Sequence, residues 1–234
     1  MFLGKKLSLI LPTYNEKDSI REVIENFEKL EVFDEIIVIN NNATEGTSEE
    51  VASTSAIEII ETNQGYGAAN LRGIREATGD LVAICEPDAT FLELDIYKFL
   101  EYSRDFDVVY GSRTMNDLIW EGANMGWFLR FGNWAVAKLM MVLNGSCSLT
   151  DVGCTYRLFN RKVADHVIEN CHIKANFFSP EMMISTIQAG FKNVQIPVNY
   201  KSRVGVSSAT GNLWVAFKLG LKMIQLILTK RIGL

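Results

Sequence analysis

Histidine is scarce in this chain: His166 and His172 are the only two in 234 residues. That count argues against a histidine-rich zinc centre and against a histidine-based nucleophilic triad. The four cysteines, Cys85, Cys147, Cys154 and Cys171, form no CxxC pair, and reduced thiols in a cytosolic setting are the simplest reading. There is no basic excess either. The formal charge is −5, which gives no reason to expect a nucleic-acid partner. Met1 to Lys6 runs straight into a strand-like segment, with no apolar leader and cleavage site, so secretion is not expected. No run is a clear membrane span of roughly 20 apolar residues. With so little histidine, any metal would rest on oxygen ligands, which points to magnesium or manganese.

What is present is a folded core. Hydrophobic residues make up 48% and charged residues 22%, a balance that disordered chains do not have. Short apolar runs at Leu7 to Leu11 and Glu35 to Ile39 read as buried strands, and Ile57 to Ile60, Leu81 to Cys85 and Asp107 to Tyr110 as three more strands. Helical spacing separates the first four, over Glu16 to Leu30, Ser48 to Ser53 and Tyr66 to Ala77. This alternation predicts an α/β fold, a mostly parallel sheet flanked by helices. In the second half, Val152 to Phe159 and Val194 to Tyr200 are expected strands. Arg161 to Glu169, Pro180 to Ala189 and Asn212 to Arg231 are expected helices. Ligands of such sheets lie at the carboxyl ends of the strands, so chemistry is sought at Thr13 to Glu16, Asn40 to Asn42 and Glu86 to Asp88.

Glu86-Pro87-Asp88 places two carboxylates at a strand end, where they can share one divalent cation and a diphosphate. Alone, that spacing is also an ordinary acidic turn. The combination carries more. PTYNE at Pro12 to Glu16, INNNATEGT at Ile39 to Thr47, NQGYGAANLRGI at Asn63 to Ile74 and EPD at Glu86 to Asp88 resemble, in order and spacing, the motifs of the inverting family 2 glycosyltransferases with the GT-A fold. Further on, VVYGSR at Val108 to Arg113, TDVGCTYRLF at Thr150 to Phe159, and IPVNY at Ile196 to Tyr200 followed by Arg203, Gly205 and Ser207 are similar to the dolichol- and polyprenol-phosphate mannosyltransferase branch.

The resemblance implies a nucleotide-sugar donor, GDP- or UDP-linked, bound by Tyr14, Glu16 and Asn40, with Pro12, Asn41, Gly65 and Arg72 completing the donor side. It implies Mg2+ or Mn2+ on Glu86 and Asp88. It also implies a lipid-phosphate acceptor met by Arg113, Arg157, Arg203 and Ser207, with Asp88, Asp151, Arg157 and Arg203 as the catalytic set. Arginine suits phosphate because its charge is permanent and its donors form a planar fork. Several positions depart from the pattern. Asn40 and Asn41 replace aspartates, which mildly favours uracil over guanine; Glu86 replaces an aspartate, Thr155 a glycine, and Ser208 a lysine. Transfer to a sugar hydroxyl, with Asp151 as base, is the first rival. A non-catalytic nucleotide-sugar-binding protein is the second.

The tail from Leu213 to Leu228 is apolar except for a stripe of Lys218, Lys222, Gln225 and Thr229. It reads as an interfacial amphipathic helix, with a homodimer contact as the alternative. Trp120, Trp127 and Trp134 suit the same interface. The expected organisation is a catalytic domain over 1–211 and a membrane-associated helix over 212–234, peripheral at the cytoplasmic face of a membrane.

Overall fold

The computed structural model describes residues 1–123, 127–146, 148–204 and 213–231. Of Trp127 to Leu129, Leu213 to Phe217, Leu219 and Arg231 it describes the backbone only. Strands β1 (Leu7–Thr13), β2 (Glu35–Asn40), β3 (Ile57–Ile60) and β4 (Leu81–Ile84) alternate with helices α1 (Lys17–Glu28), α2 (Thr47–Ala52) and α3 (Tyr66–Glu76). Helix α4 (Ile96–Tyr102), which the sequence reading left unassigned, buries Ile96, Phe99 and Leu100. Beyond it come β5 (Val108–Ser112), α5 (Trp127–Asn144), β6 (Arg157–Asn160), α6 (Arg161–Asn170), α7 (Phe178–Gln188), β7 (Asn193–Pro197) and α8 (Leu213–Arg231).

The sheet has the order β3-β2-β1-β4-β6-β5-β7. Strands β1 to β4 pair in parallel, as do β5 and β7, while β6 runs antiparallel between β4 and β5. The reversed strand matters for the site. Its register sets Arg157 opposite Ile84, so β6 begins where β4 ends, and the segment leading into it lies at the carboxyl end of the sheet. The expected strand over 152–159 is therefore shorter than its sequence suggested. The Gln195 side chain takes the N–H groups of Thr150 and Asp151, and Asp151 takes that of Gly153. These backbone groups are taken by side chains, so the chain before Tyr156 is held as a loop, and the first backbone bond to β5 is from Gly111 N–H to Tyr156 O.

The two faces of the sheet bury separate cores. Leu9, Leu11, Val38, Ala83 and Val109 pack with Ile20, Ile24, Phe27 and Phe99 on one side. Ile10, Ile39, Val82, Ile84 and Val108 pack with Ile74, Val163, Val167, Met182 and Ile187 on the other. Helix α8 joins this second core through Met223 and Ile227, one helical turn apart. Residues 213–231, expected as an appendage, thus share the core of the catalytic domain.

Helix α3 is held against the chain before α7 by close backbone contact. The N–H of Gly67 donates to Lys174 O at 2.9 Å. A Cβ on Gly67 would lie 2.0 Å from Ile173 O, and one on Gly65, at φ +142°, 2.1 Å from Lys174 O. The neighbours are carbonyls of the main chain, with no side-chain freedom to yield. Gly67→Ala is expected to lower stability by about 1–3 kcal/mol, the usual cost of overpacking, as read from urea denaturation; an unchanged midpoint would mean that the two segments can part.

Candidate active site

Three carboxylates meet beyond β1 and β4. Glu16, at the start of α1, accepts from the N–H groups of Tyr14 (2.7 Å) and Asn15 (2.8 Å) through Oε2. Its Oε1 pairs with Arg203 at 3.2 Å, and Arg203 also pairs with Asp88 Oδ2 at 3.2 Å. Asp88 is buried and its Oδ1 accepts from the Thr90 N–H (3.0 Å) and hydroxyl (2.6 Å). That turn forces Ala89 to φ 63°, a left-handed conformation that a non-glycine residue adopts at a cost. Arg203 is delivered by a segment laced onto this turn: Lys201 N–H donates to Thr90 O and Val204 N–H to Asp88 O.

Glu86 completes the group, with no hydrogen bond or ion pair to its carboxylate among the described residues. Burial first, and then the charge of Asp88, pushes its pKa up to about 8, against the opposing pull of Arg203 and Arg113. Arg113 lies under the ring of Tyr200, 5.3 Å from its centroid. It pairs with Asp151 through Nε (2.9 Å) and Nη2 (3.1 Å). Asp151 is fully buried and also accepts from the N–H groups of Arg113 and Gly153. Burial opposes its charge, but Arg113 and these hydrogen bonds hold its pKa below the ordinary carboxylate value.

The three arginines expected to converge on a phosphate divide into two groups. Arg113 and Arg203 both act on Glu86. Arg157 is carried beneath, 1% exposed. Its Nη2 donates to Cys154 O (2.5 Å) and its Nη1 to Ser179 O (3.4 Å). Ser207 lies outside the described residues.

On the donor side, Pro12 is buried in β1, and Tyr14 stands exposed beyond it. Asn40 and Asn41 follow β2, but their amides are used internally. Asn40 donates to Ser48 and Glu58 and accepts from Ala43 N–H. Asn41 donates to Glu61 O and Asn63 O and accepts from Gly65 N–H, tying β2 to the start of α3. Arg72 pairs with Glu76 one turn along α3. The sequence reading missed Thr90 and Gln195, which position the acidic turn and the Asp151 loop; neither carries a motif that would have revealed it.

No group of three metal-ligating His, Cys, Asp or Glu side chains occurs among the described residues. Glu86 and Asp88 nevertheless fit a magnesium-type ion, which is commonly held by one or two carboxylates together with substrate phosphates and water. The sign of the Glu86 shift gives a test in the presence of a chelator. Its folded pKa lies above the ordinary value of 4.5, so the folded chain binds the extra proton and stability falls as pH rises between about 4.5 and about 8. Glu86→Gln is expected to raise Tm at pH 8 and leave it nearly unchanged at pH 4.5; equal effects at both would mean that Glu86 is ionised throughout.

The geometry can be set beside known proteins. Residues 8–168 match the family model described as glycosyl transferase family 2. The chain is 28% identical over 212 residues to the low-salt glycan biosynthesis hexosyltransferase Agl6 of Haloferax volcanii, covering 87% of this chain and 49% of that protein. It therefore spans about half the length of that relative. It is 24% identical over 249 residues to the dolichyl-phosphate beta-glucosyltransferase ALG5A of Trichomonas vaginalis, covering 97% and 74%. It is 25% identical over 210 residues to the undecaprenyl-phosphate 4-deoxy-4-formamido-L-arabinose transferase of Sodalis glossinidius, covering 85% and 60%. Among solved structures, glucosyl-3-phosphoglycerate synthase from Mycobacterium tuberculosis superposes with a TM-score of 0.74 at 16% identity, covering 99% of this chain and 80% of that one. That likeness speaks for the fold. With the motifs, the sheet and the family match in agreement, the chain belongs to glycosyl transferase family 2, built on the GT-A fold.

Proposed function

We propose that this chain transfers a sugar from a nucleoside-diphosphate donor to a polyprenyl or dolichyl phosphate, with inversion at the anomeric carbon. Two of the relatives described above are named for dolichyl- or undecaprenyl-phosphate transfer, which supports a lipid-phosphate acceptor. Their names specify glucosyl and substituted arabinosyl units, so mannose is not singled out, and GDP- and UDP-linked donors both stand.

The observation that carries the choice of acceptor is the state of Asp151. Transfer to a hydroxyl needs a base, and Asp151 is the candidate in the matching motif. Its carboxylate is buried, paired with Arg113 through both oxygens and held in the ionised form, so it is a weak proton acceptor. A phosphate monoester, with a second pKa of about 6, is already ionised near neutral pH. Its oxygen attacks the anomeric carbon, the bond from that carbon to the diphosphate oxygen breaks, and no proton has to be removed.

Glu86 and Asp88 would hold Mg2+ or Mn2+, which would neutralise charge developing on the leaving diphosphate. Arg203, paired with Glu16 and Asp88, and Arg113 are the cations at this turn that would meet the acceptor phosphate. Tyr14 and Glu16 flank the donor, while Asn40 and Asn41 fix the loops around it. Arg203→Gln is expected to raise the acceptor KM roughly ten- to a hundredfold, the loss of one charge-assisted contact, with nucleoside-diphosphate affinity within a few-fold of wild type. Transfer is measured with polyprenyl phosphate and with free sugars. Efficient use of a free sugar, with polyprenyl phosphate inert, would replace this reading with hydroxyl glycosylation; binding of nucleotide sugar without any transfer would make the chain a binding protein.

The acceptor also places the enzyme at a membrane surface. No helix among the described residues is long and apolar enough to cross a bilayer. Phe131, Trp134 and Val142 on α5 and Leu221 and Leu228 on the adjoining α8 nevertheless remain exposed, as an interfacial face requires. Truncating α8 would remove Met223 and Ile227 from the core, so the cleaner test is Leu221→Glu with Leu228→Glu. The double variant is expected to stay folded and lose flotation with anionic liposomes; undiminished flotation would remove α8 from the membrane contact.

A further inference from the structure

Helix α7 carries a buried carboxylate that the reaction does not use. Glu181, in its first turn, is 2% exposed. Its Oε2 accepts from the N–H groups of Ile173 (2.8 Å) and His172 (3.2 Å). Its Oε1 lies 3.5 Å from the Lys230 ammonium near the end of α8. Burying a carboxylate is costly unless it is paired and hydrogen-bonded, and a buried pair seldom adds stability over an apolar replacement. What this pair supplies is geometry, because the two N–H groups it holds belong to the segment that docks on α3. The Lys174 carbonyl accepts from Gly67 N–H (2.9 Å) and Ala68 N–H (3.3 Å). Both are first-turn donors of α3, which have no partner within the helix. Gly65, just before them, gives its own N–H to Asn41 Oδ1. The loop from Asn63 to Gly65, part of the donor-side motif, is thus held by Asn41 after β2 on one side and by the 172–174 segment on the other.

Helix α8 is fastened to the same region at further points. Lys222 lies over the Phe177 ring, 5.9 Å from its centroid, and Gln188 of α7 donates to Lys230 O at 3.2 Å. A continuous set of contacts therefore runs from α8 through Glu181 to the start of α3. We propose that Glu181 is a positioning residue for the donor loop, and that its pair with Lys230 ties affinity for the nucleoside diphosphate to the seating of α8. The proposal rests on the reading of the chain as a nucleotide-sugar transferase. Lys230 neutralises a carboxylate that would otherwise turn toward water. With that ammonium withdrawn, Glu181 loosens its hold on Ile173, and Lys174 O no longer keeps the first turn of α3 in place. The linkage is reciprocal, so a nucleotide that binds the ordered loop also favours the seated helix. Leu221 and Leu228 of α8 are exposed, and whatever covers that face acts on the donor loop by this route.

The test measures binding of UDP and GDP with Mn2+ by calorimetry on the full chain, beside Tm. Lys230→Met is expected to weaken nucleoside-diphosphate binding about five- to tenfold, the lower range of coupling between sites, while Lys230→Arg binds like wild type. Adding Glu181→Gln to Lys230→Met removes the stranded charge and keeps an oxygen for Ile173 N–H. The double variant is therefore expected to return to within about twofold of wild type. Hydrogen exchange tests the same link without substitution: UDP or GDP with Mn2+ should slow amide exchange over residues 223–230 in wild type and leave it unchanged in Lys230→Met. Wild-type affinity in Lys230→Met, whatever its Tm, would overturn the proposal and leave the pair a structural contact. A double variant as weak as the single one would also overturn it, since lost packing of α8 would then be the cause. So would unchanged exchange in a wild-type chain that binds nucleotide. A wild-type chain that binds neither nucleotide would overturn the nucleotide-sugar reading itself, and this inference with it.

Discussion

The organisation of this site depends on an imbalance of charge. Glu16, Glu86 and Asp88 come from two strand ends and crowd into a partly dry space, and Arg203 is the cation that pairs with two of them. A folded chain gains nothing from repulsion between Glu86 and Asp88; the arrangement makes sense when a ligand of opposite charge completes it. The same guanidinium joins halves of the chain that are distant in sequence. The segment bearing it follows β7, yet its backbone is bonded to the turn after β4, and Tyr200 within it covers Arg113. The carboxylates of Glu16, Glu86 and Asp88 and the guanidinium groups of Arg113 and Arg203 are thus one connected electrostatic unit, in which altering one charge shifts the protonation of its neighbours.

The parallel half of the fold was legible because β1, β2 and β4 are buried on both faces and read as continuous apolar runs, beginning at Leu7, Glu35 and Leu81; β3 lies at the sheet edge with Ile57 and Ile60 exposed. Glu86 and Asp88 were legible as strand-end carboxylates. Spacing could not show what their partners were. Arg113, Arg157 and Arg203 look equivalent in the sequence, yet one is paired with Asp151, one with Glu16 and Asp88, and one is buried without a carboxylate. Burial depth follows from tertiary packing, to which a motif is blind. Asn40 and Asn41 lie at the end of β2 as expected, but a sequence does not reveal that an amide is already consumed by Glu58 or Gly65.

Ser179 and Asn70 show a different limit. Each sits in an ordinary helical context, and their burial beside Tyr66 exists only once α3, α7 and β6 are assembled. The glycines at 65 and 67 were read as part of a motif; the structure supplies their cause, the approach of α3 to the carbonyls of Ile173 and Lys174.

The reversed strand β6 also has a kinetic consequence. Strands β1, β2 and β3 can assemble from successive strand-helix-strand units, β1 against β2 and β2 against β3, whereas β4 returns to β1 across the intervening chain. Seating β6 between β4 and β5 brings Arg157 to Ile84 across a long intervening stretch that includes α4, β5 and α5. Closing such a loop costs chain entropy before any contact repays it, and non-local pairings slow folding. The unit of β1, β2 and β3 is therefore expected to gain its structure first, leaving β4 and β6 to the late phase of refolding. A nascent chain released before β6 has docked would expose the edge of β4, an apolar strand open to pairing with a second molecule.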